Sequence, residues 1–457
     1  ELAAANGSDT RSGLVFVPHA SGTFGVLKVA EQVRDALGIR DRGLVDVYAG
    51  SQPRDFTGED WNQHKEDVAS RFCKNEVPIL VSTKAFGMGI DKPNIRWTVH
   101  VGFPSSIEAF AQEAGRAGRD GQKALCVCVS SVPDLNQAAE AVSLDLDRDT
   151  RRLKSQRVGG DLGIQLRFLD SNFPSPKVEV ENAGGLWREL LAEGASPASQ
   201  VAIPRMPGTR GGRSSGGDAR DRDEIAKARE KALYRLVLAG AVYDYTVDWG
   251  AGSFTVELAD YTTERLDAAV AEYAQRIEPG RMRQHRTRIA QAPDGINERV
   301  AYHLQLIVEI LYRVIEPARV YALREMFRLA TGTGGDTAIR STINAYLGDG
   351  PLAGLLRDVT AGEELDLASV WRALETIPPN DPYEWAAAAT RQIEAFGRHP
   401  VLLLVRGLGE AWKPDWDASY EEFTELISGG ISALASYGVD ESSAVSTVGW
   451  LLAQLRN

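Results

Sequence analysis

The apolar residues of the first 130 positions form short runs that alternate with helically spaced segments. Residues 12–17 form a near-continuous apolar run, typical of a buried parallel strand, and 45–50, 78–82, 95–101 and 124–129 also predict strands. Between them, 26–37, 61–72 and 105–117 carry apolar residues three and four positions apart, as a helix packed on a core does. This alternation predicts a doubly wound α/β domain, whose ligands bind beyond the carboxyl ends of its strands.

The pattern changes after this domain. Residues 185–192 predict a short amphipathic helix, and 204–222 are rich in glycine and serine, as flexible segments are. Residues 223–239 start with acidic side chains and are followed by Gly240, the usual start and stop signals of a helix.

Two alternating segments, 242–247 and 254–258, then predict a β-hairpin with its turn at 248–252. Alternation places Tyr243, Tyr245 and Val247 on one face of the first strand. Helices followed by such a hairpin resemble a winged helix, a module that binds DNA in some proteins and other proteins elsewhere.

The rest of the chain is predicted to be helical. Apolar residues recur at three- and four-residue spacing in 262–277, 296–315, 318–330, 382–396, 420–436 and 442–455. No fixed repeat length and no catalytic or metal-binding spacing emerges there, so an interaction or clamping domain is the simplest interpretation.

Length and composition extend this picture. A chain of 457 residues is too long for one core, and we predict domains at 1–140, 141–260 and 261–457. It has ordinary hydrophobic content, 43%, and no run of eighteen apolar residues, so we expect a cytoplasmic protein. Its three cysteines have no spacing for a zinc site or a disulfide framework.

The net charge of −12 is unfavourable for nucleic-acid binding, but the charge is unevenly distributed. Residues 1–130 hold 15 basic and 16 acidic side chains, whereas 340–457 hold 8 and 17. Basic residues are concentrated in two places: Arg205, Arg210, Arg213 and Arg220 in one, and Arg276, Arg281, Arg283, Arg286 and Arg288 in the other. Each group could contact a sugar-phosphate backbone. The alternative for the first group is a flexible linker, and the alternative for the second is a solvated helix face.

Two motifs carry the candidate chemistry. Residues 82–94 are STKAFGMGIDKPN and residues 112–121 are QEAGRAGRDG. Arg116 and Arg119 are three apart, so on one helical turn they would share a face and reach the same anion. Guanidinium groups suit the terminal phosphates of a nucleotide, where charge develops during hydrolysis. The order and spacing of both motifs resemble the second RecA-like lobe of RecQ DNA helicases, over about residues 13–130.

The resemblance implies a RecA-like motor lobe followed by a winged-helix domain and an all-α C-terminal domain. It implies that Arg116 and Arg119 act as an arginine finger on ATP, and that Gln112 senses the nucleotide. It also implies that Gly87 and Gly89 let the backbone approach a ligand, and that Asp91 contacts the ribose. For DNA it implies contacts from Ser82, Thr83, His19 and, at the hairpin tip, Trp249. Arg210 and Arg213 of the first basic group are further candidate DNA contacts. Trp249 is either a wedge that stacks on an opened base pair or a packing residue on the hairpin's own tyrosines.

The sequence contains no GxxxxGK[ST] and no DExH, the motifs that hold nucleotide phosphates and magnesium. The chain also begins at Glu1, so we expect a C-terminal portion of a longer helicase, with ATP and Mg²⁺ held mainly by an absent first lobe. Alone, the chain should be inactive. In full it should move 3′ to 5′ on single-stranded and forked DNA near the nucleoid, with a possible protein partner at its acidic end. The alternative is a non-enzymatic DNA-binding or assembly subunit, for example of a bacterial genome-defence complex.

Overall fold

The computed structural model of the protein describes residues 11–57, 60–86, 91–143, 146–206, 219–332, 335–377, 383–413 and 420–455. The chain forms two compact units. The first contains the described residues up to Leu169 together with Arg319–Leu347, and the second contains Asp170–Ala318 and the described residues from Gly348 onward.

The first unit begins with alternating strands and helices. They are β1 (Ser12–Phe16), α1 (Val26–Leu37), β2 (Val45–Tyr48), α2 (Trp61–Cys73), β3 (Ile79–Ser82), β4 (Ile95–Val101), α3 (Ile107–Ala114), β5 (Leu125–Val129), α4 (Leu135–Ala141), α5 (Arg148–Ser155) and α6 (Gly160–Asn172). The five strands form a sheet in the order β2-β3-β1-β4-β5, and every neighbouring pair is parallel. The expected parallel α/β fold is therefore confirmed for this unit.

Side chains of the central strands alternate between two buried clusters, one on each face of the sheet. Val15 and Val81 belong to one cluster and Leu14 and Leu80 to the other, and all are almost fully buried. A strand covered on both faces explains why the sequence shows continuous apolar runs here. The first unit also includes α13 (Gly335–Leu347).

The second unit contains a small antiparallel sheet with helices packed on it. Its first elements are α7 (Pro176–Ala192), β6 (Gln200–Pro204), α8 (Ala219–Leu238), β7 (Val242–Asp248) and β8 (Ser253–Leu258). The strand order is β6-β8-β7. The β7–β8 hairpin confirms the prediction from alternation. Strand β6 and the first turns of α7 were not predicted; Ser175 caps the start of α7, and its side chain accepts a hydrogen bond from the Val178 amide.

One prediction about the hairpin is wrong. Tyr243 does not share the core-facing side of β7 with Tyr245 and Val247; it is exposed, whereas those two pack against the core. The pairing of β7 with β8 shifts register between Val242 and Asp244, and such a bulge turns the extra residue out of the alternation.

Every described element after β8 is helical. They are α9 (Thr263–Ile277), α10 (Met282–Ile289), α11 (Ile296–Ile310), α12 (Glu316–Thr331), α13, α14 (Pro351–Ala361), α15 (Leu367–Leu374), α16 (Glu384–Phe396), α17 (Pro400–Ala411), α18 (Tyr420–Leu434) and α19 (Glu441–Gln454). A π-helical turn, Leu311–Ile315, joins α11 to α12. Of the helices that the structure describes, none combines the length and the apolar content needed to cross a membrane.

Candidate functional site

The second motif starts on α3, but its two arginines lie beyond the end of that helix. Residues 115–121, named here the arginine loop, form consecutive turns, so the expectation that Arg116 and Arg119 share one helical face is wrong. Gly118 prevents a helical turn between the two arginines. It adopts a left-handed φ of 70°, and its amide donates to the Ile95 carbonyl oxygen of β4 at 2.9 Å. A helix cannot continue through that residue.

The two arginines nevertheless act on each other. Burial, and then the charge of Arg119, lowers the pKa of the Arg116 guanidinium, while Glu113 opposes the effect. Arg119 Nη1 lies 3.2 Å from Asp91 Oδ1. The first and second motifs therefore meet at one point, at which two of the predicted site residues form an ion pair.

The arginine loop is also attached to β4. Asp120 accepts hydrogen bonds from both terminal nitrogens of Arg96, one of them at 3.1 Å. This contact holds the pKa of the Asp120 carboxyl below its usual range. At the other end of the loop, His100 Nδ1 donates to Glu113 Oε2 at 3.0 Å. Sequence reasoning missed Arg96 and His100, although charged and imidazole side chains inside an otherwise apolar strand were an available signal.

Gln112 lies on the exposed side of α3, and its amide donates to Glu108 Oε1 at 3.1 Å. The predicted Gly87 and Gly89 lie outside the described residues, as do Arg210 and Arg213. Their predicted contacts stay predictions.

The residues expected to contact a DNA phosphate differ in exposure. Ser82 ends β3 and is fully buried, and its hydroxyl donates to the Thr83 carbonyl oxygen at 2.6 Å. A phosphate contact from Ser82 does not fit this position, since the hydroxyl is enclosed by the sheet. Thr83 follows at the carboxyl edge and is half-buried, with its amide bound to the Tyr48 carbonyl oxygen at 3.1 Å.

His19 follows β1 at the same edge of the sheet. Its ring is half-buried and lies 5.3 Å from the Phe168 ring, centroid to centroid. Burial, and after it the charge of Arg167, lowers the pKa of the His19 imidazole. A lowered pKa favours the uncharged form of the His19 imidazole, which can still form hydrogen bonds.

Trp249 projects from the tip of the β7–β8 hairpin and is 74% exposed. The packing alternative, a tryptophan folded back on the hairpin's tyrosines, does not describe this side chain. Its ring contacts Arg205, whose guanidinium carbon lies 4.0 Å from the ring centroid. The Arg205 amide also donates to the Gly252 carbonyl oxygen at 2.9 Å, so the residue after β6 is bound to the turn of the hairpin.

The basic segment around α10 is largely neutralised. Arg281 pairs with Glu278, Arg286 with Glu363 and Arg288 with Glu309, at 3.3, 2.7 and 2.5 Å. These pairs favour the solvated-helix interpretation over a phosphate-binding surface. Within the described ranges, no three His, Cys, Asp or Glu side chains converge as metal ligands would.

Comparison with known proteins identifies the region that contains these motifs. Residues 50–121 match the family described as helicase conserved C-terminal domain. The ATP-dependent DNA helicase RecQ of Bacillus subtilis is 46% identical over 71 residues, which are 16% of this chain and 12% of that protein. The DNA helicase Q-like 4B of Arabidopsis thaliana is 45% identical over 76 residues (17% and 7%), and helicase Q1 of Pongo abelii is 36% identical over 118 residues (26% and 17%).

The matched region thus spans less than a fifth of each of these relatives. Among solved structures, the helicase Lhr of Mycobacterium smegmatis, bound to ssDNA and AMP-PNP, covers 97% of this chain and 64% of its own. Its TM-score of 0.23 at 13% identity supports no argument about fold. On the sequence matches, residues 50–121 are similar to the helicase conserved C-terminal domain, including the corresponding regions of RecQ helicases.

Proposed function

We propose that this chain is the second motor lobe and C-terminal portion of an ATP-dependent RecQ-like DNA helicase. The observation that carries the proposal is the meeting of Arg119 with Asp91 at the loops that follow β3 and α3. Paired arginines beside an exposed carboxylate suit a nucleotide whose phosphates and ribose bind between two lobes.

Within this proposal each residue of the motifs has a role. Arg116 and Arg119 supply positive charge to the terminal phosphate of ATP as it is transferred to water, and no proton transfer is required of them. Gln112 senses the bound nucleotide, Asp91 contacts the ribose, and Gly87 and Gly89 bring the backbone close. Guanidinium groups can donate to phosphate oxygens but cannot act as metal ligands, so Mg²⁺ and most of the ATP would be held by a first lobe that carries the phosphate-binding loop.

We further propose that α7, α8 and the three-stranded sheet are a winged helix that binds DNA. An exposed indole can stack on a base that has lost its neighbour, and Arg205 beneath it adds charge for the adjacent phosphate. Thr83 and His19, with Arg210 and Arg213, would contact the single strand as the motor moves 3′ to 5′. Single-stranded and forked DNA are the expected substrates, and a cytoplasmic, nucleoid-associated location is expected for the whole protein.

The acidic helices of the C-terminal third suit contact with another protein better than contact with DNA, because they repel phosphates. The domain boundaries at residues 140 and 260 also remain proposals. A non-enzymatic DNA-binding subunit is the second candidate, because the sequence lacks GxxxxGK[ST] and DExH.

Two experiments separate these candidates. The first is to determine the coding sequence upstream of Glu1, where an in-frame GxxxxGK[ST] followed by DExH is expected. The second uses the two-lobed helicase, meaning this chain together with that first lobe. It should hydrolyse ATP when single-stranded DNA is added and should displace a labelled strand from a fork with a 3′ tail. DNA binding without hydrolysis would favour the non-enzymatic subunit.

A further inference from the structure

Asp120 and Arg96 form a contact that neither motif assignment explains. Arg96 lies near the start of β4 and Asp120 lies next to Arg119 in the chain, and their side chains are only 16% and 24% exposed. Two carboxylate oxygens face two guanidinium nitrogens, an arrangement that fixes orientation as well as distance. Asp120 Oδ1 also accepts the Gln122 amide at 3.1 Å, so the carboxylate joins β4 to the backbone at the end of the arginine loop.

A second contact holds the start of the arginine loop. Glu113, at the end of α3, accepts the hydrogen bond from His100, which is buried and whose ring stacks on Phe16. Arg96 and His100 both belong to β4, and they contact the arginine loop near its end and just before its start, respectively. Side chains of β4 therefore hold this segment at two points, Glu113 and Asp120, and Arg116 and Arg119 lie between them.

Arg119 forms an ion pair with Asp91 at the protein surface. Its side chain is long, and the Asp91 carboxylate that it contacts is 82% exposed, so water and salt compete strongly for that ion pair. The position from which Arg119 extends is instead set by Asp120, and by Gly118, whose amide is bound to the Ile95 carbonyl oxygen.

We propose that Arg96 is a positioning residue for ATP hydrolysis, which acts through Asp120 to hold Arg119 where the terminal phosphate binds. This inference rests on the proposed function, because it assumes that Arg119 meets a phosphate. His100 supports the opposite end of the loop through Glu113. Neither Arg96 nor His100 touches the nucleotide.

The test is a double-mutant cycle in the two-lobed helicase with Arg96→Gln and Asp120→Asn. Each single variant should lower kcat for DNA-stimulated ATP hydrolysis at least tenfold and leave KM for ATP within about threefold. The double variant should be no slower than the slower single variant, because both changes remove one contact. Arg96→Lys retains the charge but not the two-pronged geometry, so it should recover only part of kcat.

The matched control is Arg71→Gln. Arg71 forms another inter-element ion pair in the same unit, with Asp46 at 3.2 Å, and lies outside both motifs. It should leave kcat within twofold. Hydrogen exchange on this chain distinguishes positioning of the arginine loop from a general structural role. Asp120→Asn should speed exchange at residues 115–122 at least tenfold. The melting temperature should stay within a few degrees.

Unchanged kcat in both Arg96→Gln and Asp120→Asn, or losses that multiply in the double variant, would overturn the inference. The proposed function fails separately, if Arg119→Ala hydrolyses ATP normally. An inactive Arg119→Ala combined with fully active Arg96→Gln and Asp120→Asn would refute the positioning role alone.

Discussion

Arg119 Nη1 lies 3.2 Å from Asp91 Oδ1, although the two residues are 28 positions apart in the chain. One residue belongs to the motif at 82–94 and the other to the motif at 112–121. Their contact gives a physical reason for the two motifs to occur together. Asp91 contacts the same guanidinium that the proposed mechanism assigns to a phosphate.

The first prediction concerns Arg119 in the two-lobed helicase. Arg119→Ala should reduce DNA-stimulated ATP hydrolysis by about two orders of magnitude or more, because an arginine finger stabilises charge that develops only during the reaction. Affinity for single-stranded DNA should change by no more than a few-fold. Steady-state ATPase assays and fluorescence anisotropy with a labelled oligonucleotide measure the two quantities.

Arg40→Ala is the control for the loss of an exposed arginine, since Arg40 lies in the loop after α1 and outside both motifs. It should hydrolyse ATP at the unmodified rate. If Arg119→Ala turned over as fast as Arg40→Ala, Arg119 would not be a finger.

A second prediction concerns the chain by itself. Without the partner lobe it should show no ATP hydrolysis above background and only weak nucleotide binding, because its cationic residues supply one side of a phosphate site and no phosphate-binding loop. Phosphate release and titration with a fluorescent ATP analogue provide the measurements. Robust hydrolysis by the purified chain would mean that the phosphate site is built in another way.

The third prediction is a pH dependence of stability in the second unit. Glu278 is only 5% exposed, and burial alone would raise its pKa, but hydrogen bonds from His285 and Arg313 and the charges of Arg313 and Arg281 hold the pKa at about 2. A carboxyl whose pKa falls on folding stabilises the protein above its unfolded value of 4.5 and loses that contribution as pH falls toward 2. The shift corresponds to about 3 kcal/mol.

Glu278→Gln should therefore lower the melting temperature clearly at pH 7 and much less at pH 3, as followed by tryptophan fluorescence. Glu363→Gln is the matched control, since Glu363 pairs with Arg286 on the surface and such exposed pairs contribute little. A temperature difference between Glu278→Gln and the unmodified protein that did not change with pH would contradict the ion-pair account.

Helices and strands could be predicted where apolar residues recur at regular spacing within one element. Helix α1 has the predicted bounds because Val26, Val29 and Ala30 face the core and Gly38 ends the helix in a left-handed conformation with φ of 63°. Helix α17 was missed, because it starts with an unbroken apolar run, residues 400–405, and such a run fits a buried strand as well as a helix.

The candidate site was predictable only in part, because some of its contacts join residues that are far apart in the chain. Arg116 and Arg119 are identified by a motif that lies within ten residues. The contact of Arg96 with Asp120 joins residues 24 positions apart, and it depends on how β4 packs beside α3 and the loop that follows. The exposure of Tyr243 depends on a register shift between two strands, which alternation in one strand cannot indicate.

The last prediction concerns Trp249. An indole that is 74% exposed and backed by Arg205 can stack on an opened base, an interaction worth ~1–3 kcal/mol. Trp249→Ala in the two-lobed helicase should reduce strand displacement from a forked duplex at least tenfold. It should leave ATP hydrolysis stimulated by single-stranded DNA unchanged, because movement along one strand does not require base pairs to be separated.

Tyr243→Ala provides the matched control for Trp249→Ala, since Tyr243 is an exposed aromatic residue on the same hairpin but lies at its base. It should unwind the fork at close to the unmodified rate. Because Trp249 is so exposed, its replacement should leave the melting temperature within about 2 °C, as surface substitutions usually do. Equal losses of unwinding and ATP hydrolysis in Trp249→Ala, or a large fall in melting temperature, would show that the tryptophan supports the fold and does not separate strands.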